Sequence, residues 1–165
     1  MLRLAFSGAV LDAGCGTGEN ALHVASLGLR VLGVDVAETA VAMARDKAVE
    51  RGIVADFAVA DALRLDRLGR AFETVLDCGL FHTFDGDERR DYVASLASVT
   101  RPGARMYVLC FRDAEGAGPH PVSEAELRAA FGGRGWSVAS VSPDRLDTRF
   151  APQGAPAWLA TIERV

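Results

Sequence analysis

Three glycines at alternating positions constrain this chain more than any other feature. They are Gly14, Gly16 and Gly18, in the stretch VLDAGCGTGENAL that runs from Val10 to Leu22. Each of them would weaken a helix or a strand, because glycine loses more backbone entropy on folding than any other residue. Glycine is favoured where the chain turns sharply or where a ligand lies against bare main chain. The stretch therefore predicts a ligand-binding turn directly after a buried first strand.

The rest of the chain alternates between strand-like and helix-like patterns. Strands are predicted over 9–13, 30–36, 56–62, 72–79, 104–111, 135–143 and 157–165, and helices over 19–28, 38–51 and 87–100. A further helix begins after Ser123, which forms a capping box with Glu126. This order predicts an α/β fold with a doubly wound, mostly parallel seven-stranded sheet, helices on both faces and an antiparallel last strand. The length of 165 residues predicts a single domain, residues 1–165.

The spacing of the glycines separates two classes of cofactor loop. The dinucleotide pattern G-x-G-x-x-G, begun at Gly14, requires a glycine where the chain has Glu19. The chain instead has D-x-G-x-G-x-G, from Asp12 to Gly18, with Glu19 directly after it. Two acids at such a loop would repel a pyrophosphate. The loop therefore favours a ligand that lacks phosphates and carries positive charge, such as an amino-acid sulfonium nucleoside.

Acidic residues also stand at the ends of the next three predicted strands, at Asp35, Asp61 and Asp77. In an open α/β sheet, ligands bind outside the carboxyl ends of the strands. A carboxylate after the second strand can accept hydrogen bonds from ribose hydroxyls, and Asp61 follows the third strand, where an adenine amino group would lie. Each acid alone could equally cap a turn. Together they predict a nucleoside site at this edge of the sheet.

The motifs VLDAGCGTG, GVDVAETAVAMAR, VADALRL, FETVLDCGLFH and RPGARMYVLCF resemble those of class I S-adenosylmethionine-dependent methyltransferases, and the resemblance runs from Val10 to the C-terminus. It implies S-adenosylmethionine as the cofactor, S-adenosylhomocysteine as the product, and no metal. It also implies that the glycine loop faces the methionyl part, steadied by Asp12, and that Asp35 holds the ribose. The adenine edge would be read by Asp61 and the amide of Ala62. The full set of implied cofactor-binding residues is Asp12, Gly14, Cys15, Gly16, Asp35, Val36, Asp61, Ala62, Asp77 and Cys78.

The same resemblance implies that Phe81 or His82 faces the methyl group and lines the substrate pocket. His82 is the candidate general base for acceptors that must lose a proton, because histidine titrates near neutral pH. The alternative is a structural histidine that orients the loop after the fourth strand. Both readings of His82 stay open on the sequence.

Composition and motifs narrow the acceptor to a small molecule. The net charge is −4 and the basic residues are scattered, which argues against nucleic acid as a partner. The fourth strand is followed by Cys78 and Gly79 rather than by the Pro-Pro pair typical of enzymes that methylate planar amino groups. The chain resembles the small-molecule branch, near thiopurine and tellurite-type enzymes and actinobacterial hydroxyquinolone O-methyltransferases. A phenolic or heterocyclic acceptor with an O, S or N nucleophile is therefore expected.

The location and the surroundings of the site are less constrained. Three widely spaced cysteines and no membrane-length apolar run predict a protein of the reducing cytoplasm that does not contact membranes.

Family members usually carry some tens of residues before the glycine motif, whereas nine residues precede Val10 here. The chain is then truncated, or its site is open, or a second subunit of a homodimer covers it. An S-adenosylmethionine-binding protein with little turnover, lacking the N-terminal lid, is therefore an alternative, and a nicotinamide oxidoreductase is a third.

Overall fold

The computed structural model describes residues 4–165, and its centre is one seven-stranded sheet. The strands are β1 (Val10–Ala13), β2 (Val31–Asp35), β3 (Asp56–Val59), β4 (Phe72–Cys78), β5 (Thr100–Phe111), β6 (Trp136–Leu146) and β7 (Ala155–Arg164). Their order across the sheet is β3-β2-β1-β4-β5-β7-β6. Strands β1 to β5 pair in parallel, and β7 is antiparallel to both β5 and β6. The predicted α/β class, the mostly parallel sheet and the antiparallel last strand are confirmed.

Four α-helices cover the two faces of the sheet. They are α1 (Glu19–Ser26), α2 (Glu38–Arg51), α3 (Gly86–Ser98) and α4 (Glu124–Phe131), and short 3-10 segments lie at Ala62–Leu68 and Phe81–Thr83. All four residues of β1 are buried, because a parallel central strand is covered on both sides. Its side chains alternate, so Val10 joins the core under α1 and α2 while Leu11 joins the core under α3 and α4. Helices on both faces are thus confirmed.

The winding direction of the sheet reverses between β1 and β4, since β1 lies between β2 and β4. At this reversal the loops that follow two neighbouring strands diverge and leave a crevice. The loop after β1 contains the alternating glycines, and the loop after β4 begins at Gly79. A small apolar cluster lies beyond this crevice, formed by Phe111, Leu146, Ala155 and Ala157.

Some element boundaries differ from the prediction for local reasons. Strand β3 ends at Val59 rather than residue 62, because the Asp61 carboxylate accepts a hydrogen bond from the Leu63 amide and begins a 3-10 segment. Helix α3 ends at Ser98, and β5 begins at Thr100, where 104 was predicted. Pairing between Thr100 and Phe72 draws these extra residues into the sheet.

Among residues 4–165, no helix combines the length and the apolar composition needed to cross a bilayer.

Candidate active site

The glycine loop takes a conformation that only glycine adopts freely. Gly14, Gly16 and Gly18 all have positive φ angles, of 72°, 52° and 85°. A Cβ on Gly14 would lie 2.9 Å from the Leu80 Cβ, and one on Gly18 would lie 2.7 Å from the Ala44 Cβ. At Gly16, by contrast, a Cβ would meet no protein atom within 4 Å. Gly14 and Gly18 are therefore required for packing, whereas Gly16 presents bare main chain to open space.

Asp35, the last residue of β2, fixes this loop. One carboxylate oxygen accepts a hydrogen bond from the Gly16 amide at 2.9 Å, and the other accepts from the Ala37 amide at 2.9 Å. The side chain is half-buried. Because an ionised carboxylate has about four acceptor positions, two remain available to a ligand. Asp35 therefore joins the glycine loop to the start of α2 and keeps capacity for hydroxyl donors.

A cleft of about 440 Å³ opens beside Asp35. Its lining residues are Val36, Val59, Ala60, Asp61, Arg64, Arg67 and Leu68. Val36 and Val59 are 70% and 51% exposed, which is unusual for apolar side chains and leaves a surface suited to a flat ring. One oxygen of the exposed Asp61 carboxylate accepts from the Leu63 amide at 2.9 Å. Ala62, which was predicted to contribute here, is buried and is not part of the cleft wall.

The four predicted acids do not all lie at the edge of the sheet. Asp35 and Asp61 lie at the edge of the sheet, but Asp12 and Asp77 are each 1% exposed. Asp77 accepts hydrogen bonds from the amides of Leu80 and Phe81 at 2.9 and 3.1 Å, and from the Tyr92 hydroxyl at 2.9 Å. The prediction that the Asp77 side chain contacts the cofactor is therefore corrected. Its carboxylate points into the core and holds the turn after β4.

Asp12 is buried beneath the glycine loop, and one of its carboxylate oxygens has no hydrogen-bond partner in the part of the chain that the structure describes. Burial raises the pKa of this carboxyl to about 7, the nearby Asp77 and Asp35 charges add to the rise, and a backbone hydrogen bond from Ala21 opposes it. Burial likewise raises the pKa of Asp77 to about 6. An unpartnered anionic oxygen at this depth favours a nearby cation or hydrogen-bond donor.

The cysteines near the crevice are neutral thiols. Burial raises the pKa of Cys15 to about 12 and that of Cys78 to about 11. Cys15 fills the space beside Gly33, where an added Cβ would lie 3.0 Å from the Cys15 Cβ. Cys78 ends β4 and packs at the edge of the apolar cluster beyond the crevice. Neither thiol is activated as a nucleophile.

Phe81 and His82, which were predicted together as the substrate pocket, point in different directions. Phe81 is completely buried and stacks on Phe131 of α4, with ring centroids 5.7 Å apart. Its assignment to the substrate pocket is therefore corrected, because the turn held by Asp77 directs this ring into the core. His82 instead stacks on Phe111 with centroids 4.3 Å apart, beside Gly79.

His82 is a poor general base in this arrangement. Its Nδ1 accepts a hydrogen bond from the Phe111 amide at 3.3 Å. Burial is the main cause that lowers the pKa of the imidazole to about 4, with smaller contributions from the nearby His120 and Arg89. The ring is therefore neutral at physiological pH, and the structure favours the alternative of a histidine with a fixed orientation over that of a base.

Several residues of the site were missed by sequence reasoning. Leu80 packs on Gly14, Tyr92 anchors Asp77, and Phe111 orients His82. Val59 and Leu68 line the cleft. No pattern in the sequence marks these residues, because their roles depend on how separate elements pack together.

These features fit a cationic nucleoside without phosphates. The open main chain at Gly16 would lie against its amino-acid part, Asp35 has free acceptor positions for a ribose, and the cleft beside Val36 suits an adenine ring. Among the described residues, 4–165, no cluster of three or more His, Cys, Asp or Glu side chains is arranged to hold a metal ion.

Comparisons with known proteins agree with this fit. A family model described as a methyltransferase domain matches residues 10–103. A 2-heptyl-1-hydroxyquinolin-4(1H)-one methyltransferase of Mycobacteroides abscessus is 40% identical over 144 residues, which are 84% of this chain. The chain spans 63% of the length of that relative.

Solved structures share both the fold and part of the sequence. A protein studied for the conversion of a disulfide bond into a thioacetal group during echinomycin biosynthesis superposes with a TM-score of 0.85 at 40% identity, over 96% of this chain and 76% of that one. A magnesium protoporphyrin IX methyltransferase of Synechocystis, solved with bound S-adenosylmethionine, gives a TM-score of 0.72 at 27% identity, over 94% and 69%. The chain belongs to the S-adenosylmethionine-dependent methyltransferase family.

Proposed function

We propose that this protein transfers a methyl group from S-adenosylmethionine to an oxygen, sulfur or nitrogen atom of a small phenolic or heterocyclic acceptor. The observation that carries the proposal is the open main chain at Gly16, held by Asp35, with a cleft lined by the next residue, Val36. When bound, S-adenosylmethionine supplies a methyl carbon already activated by the sulfonium. The chain's own task is then to align an acceptor opposite the leaving sulfur, since alignment alone supplies a large part of the rate.

The residues divide this task between two sides of the crevice. On one side, the proposed cofactor contacts are Gly14, Gly16, Asp35, Val36 and Asp61, with Asp12 and Cys15 beneath the loop. On the other side, the proposed acceptor contacts are Cys78 and Gly79, which are backed by the buried apolar cluster around Phe111 and Leu146. His82 belongs to the acceptor side, because its ring lies against Phe111 and next to Gly79.

The relative that acts on a hydroxyquinolone supports an aromatic acceptor with an acidic hydroxyl group. The acidic net charge of −4 supports a small molecule over a nucleic acid.

The assay that tests this proposal measures release of S-adenosylhomocysteine with a panel of phenols, thiols and hydroxyquinolones. Calorimetry on the same protein measures the binding of S-adenosylhomocysteine. Turnover with at least one aromatic acceptor is expected. Tight binding of S-adenosylhomocysteine without turnover across the panel would instead favour a cofactor-binding protein with little catalysis.

A further inference from the structure

The imidazole of His82 is fixed as a hydrogen-bond donor rather than an acceptor. Its Nδ1 receives the Phe111 amide proton, at a nitrogen-to-nitrogen distance of 3.3 Å. A neutral imidazole carries one proton, so a ring that accepts at Nδ1 carries that proton on Nε2. A 180° flip of the ring would keep the stack against Phe111 but would put a carbon in the place of Nδ1, so the hydrogen bond from the Phe111 amide fixes the orientation of the ring.

The edge of the ring that carries Cε1 lies against the loop that follows β4. The Cε1 atom, which lies between the two ring nitrogens, would be 3.6 Å from a Cβ at Gly79. Leu146 of β6 lies at the same glycine, 3.8 Å from that position. The Nε2 side of His82 is therefore next to the loop that follows β4, where the proposed acceptor meets the cofactor.

Charges of both signs lie around His82. Arg89 faces it from α3 and the exposed His120 from the segment between β5 and α4, the Asp77 carboxylate holds the neighbouring Phe81 amide, and β5 and β6 contribute the uncharged Phe111 and Leu146. Arg89 is only 14% exposed, and its one ion-pair partner within residues 4–165 is Glu126, at 3.7 Å. The Arg89 guanidinium and a neutral N–H donor on this side of the crevice can stabilise an anion, and neither removes a proton.

Resting on the proposed function, we propose that His82 positions the acceptor through an Nε2–H hydrogen bond, and that the site selects acceptors that arrive already deprotonated. The acceptor class is thus acidic hydroxyl compounds, such as electron-poor phenols and N-hydroxylated heteroaromatics, rather than alcohols. The acceptor loses its proton to solvent before it binds. Its anionic oxygen then forms the new bond to the methyl carbon, the carbon–sulfur bond breaks, and that electron pair stays on sulfur.

If His82 is a hydrogen-bond donor, replacing it changes kcat and KM differently than if it is a general base. The negative charge on the acceptor falls as the new bond forms, so a donor stabilises the bound acceptor at least as strongly as the transition state. Removing the donor should raise KM and leave kcat nearly unchanged, whereas removing a base should lower kcat.

The first test needs no acceptor. Nitrogen NMR of the imidazole rings, recorded with S-adenosylhomocysteine present and assigned with His23→Gln and His120→Gln, reports the tautomer of His82 directly. The expected result is an Nε2–H tautomer that does not titrate above about pH 6. An Nδ1–H tautomer, or titration between about pH 6 and pH 8, would overturn the assignment.

The second test compares 4-nitrophenol with 4-methylphenol, two acceptors of similar size and very different acidity. The proposal expects kcat/KM to favour 4-nitrophenol at neutral pH, with the preference falling as the pH approaches the ionisation range of 4-methylphenol. The His82→Phe variant keeps the aromatic stack and loses the donor, so KM for 4-nitrophenol should rise about 10- to 100-fold. The His82→Gln variant, which presents an amide N–H near the place of Nε2, should restore most of this loss.

The results of these tests separate the proposed role of His82 from the proposed methyl transfer. A fall in kcat with unchanged KM in His82→Phe, or equal use of both phenols at neutral pH, would overturn the role of His82 while methyl transfer stands. Absence of turnover with every acceptor would overturn the proposed function, and the NMR result would still decide the state of His82.

Discussion

The carboxylate of Asp35 accepts a hydrogen bond from the amide of Gly16 at 2.9 Å, which connects the end of β2 to the only glycine of the loop that faces open space. Within this loop, Gly14 and Gly18 are held by packing against Leu80 and Ala44. Gly16, which presents bare main chain, is instead held by the charged carboxylate of Asp35. A single carboxylate thus shapes the loop and faces the place where a ribose would bind.

Replacing Asp35 by alanine should weaken S-adenosylhomocysteine binding about 10- to 100-fold, because both the loop contact and the acceptor positions for hydroxyl groups are lost. Calorimetric titration measures this directly. Asp46→Ala, which removes an exposed carboxylate from α2, is the matched control and should leave affinity unchanged. Equal affinity of the Asp35→Ala protein and the parent would contradict the ribose assignment.

Gly16→Ala should reduce affinity out of proportion to its effect on stability. Alanine at φ 52° costs about 1 kcal/mol, and the methyl group would occupy space that protein atoms leave free. Gly52→Ala is a close control, since Gly52 ends α2 with φ 63° and also has no atom near its Cβ position. Denaturation and calorimetry on both variants should give similar losses of stability but a loss of binding only for Gly16→Ala. A comparable loss of binding in both would show that backbone strain, rather than occupied space, is responsible.

Asp12→Asn should stabilise the protein at high pH. The pKa of Asp12 is raised to about 7 in the folded state, from 3.8, so the folded protein binds this proton more tightly than the unfolded chain. The associated stability is present at low pH and is lost as the pH rises through about 7. The Asp12→Asn variant has no carboxyl to ionise. Its free energy of unfolding should therefore exceed that of the parent by about 2 kcal/mol at about pH 8, and by less at about pH 5. Urea unfolding at both values measures the difference, and a gain that is independent of pH would contradict the buried charge.

Tyr92→Phe tests the internal anchor of the turn after β4. It removes the hydroxyl that donates to Asp77, whose pKa of about 6 leaves it ionised at about pH 8. The loss of stability should be about 2 kcal/mol there, and smaller at about pH 5, where Asp77 is protonated and the bond no longer involves a charge. Tyr107→Phe removes a hydroxyl that contacts the main chain of Ala5 instead, so its cost should not depend on pH in this range. Equal pH dependence in the two variants would rule out the Asp77 contact as the cause.

The sequence predicted the parts of the site that depend on local order along the chain. Alternating glycines after an apolar run identified the loop, and the position of Asp35 after β2 placed it at the edge of the sheet. The antiparallel β7 followed from the lack of a helix before it. These features depend on the order of residues within short segments, which can be read from the sequence without knowing how distant segments pack.

The parts that were wrong depend on the direction of side chains at the end of a strand. Asp77 and Phe81 are close to the crevice in sequence, but Tyr92 and Phe131 draw them into the core. Likewise, the orientation of His82 depends on Phe111, which is 29 positions away along the chain. Such contacts form only when α3, α4 and β5 are assembled, and no pattern in the FETVLDCGLFH motif reports them.

A crystal structure with S-adenosylhomocysteine, the product that lacks the sulfonium charge, would show whether a phosphate-free nucleoside lies over the glycine loop. We expect the ribose hydroxyls within hydrogen-bond distance of Asp35 and the adenine in the cleft between Val36 and Val59. Electron density for the nucleoside elsewhere on the molecule, or a cleft left empty at saturating ligand, would contradict it.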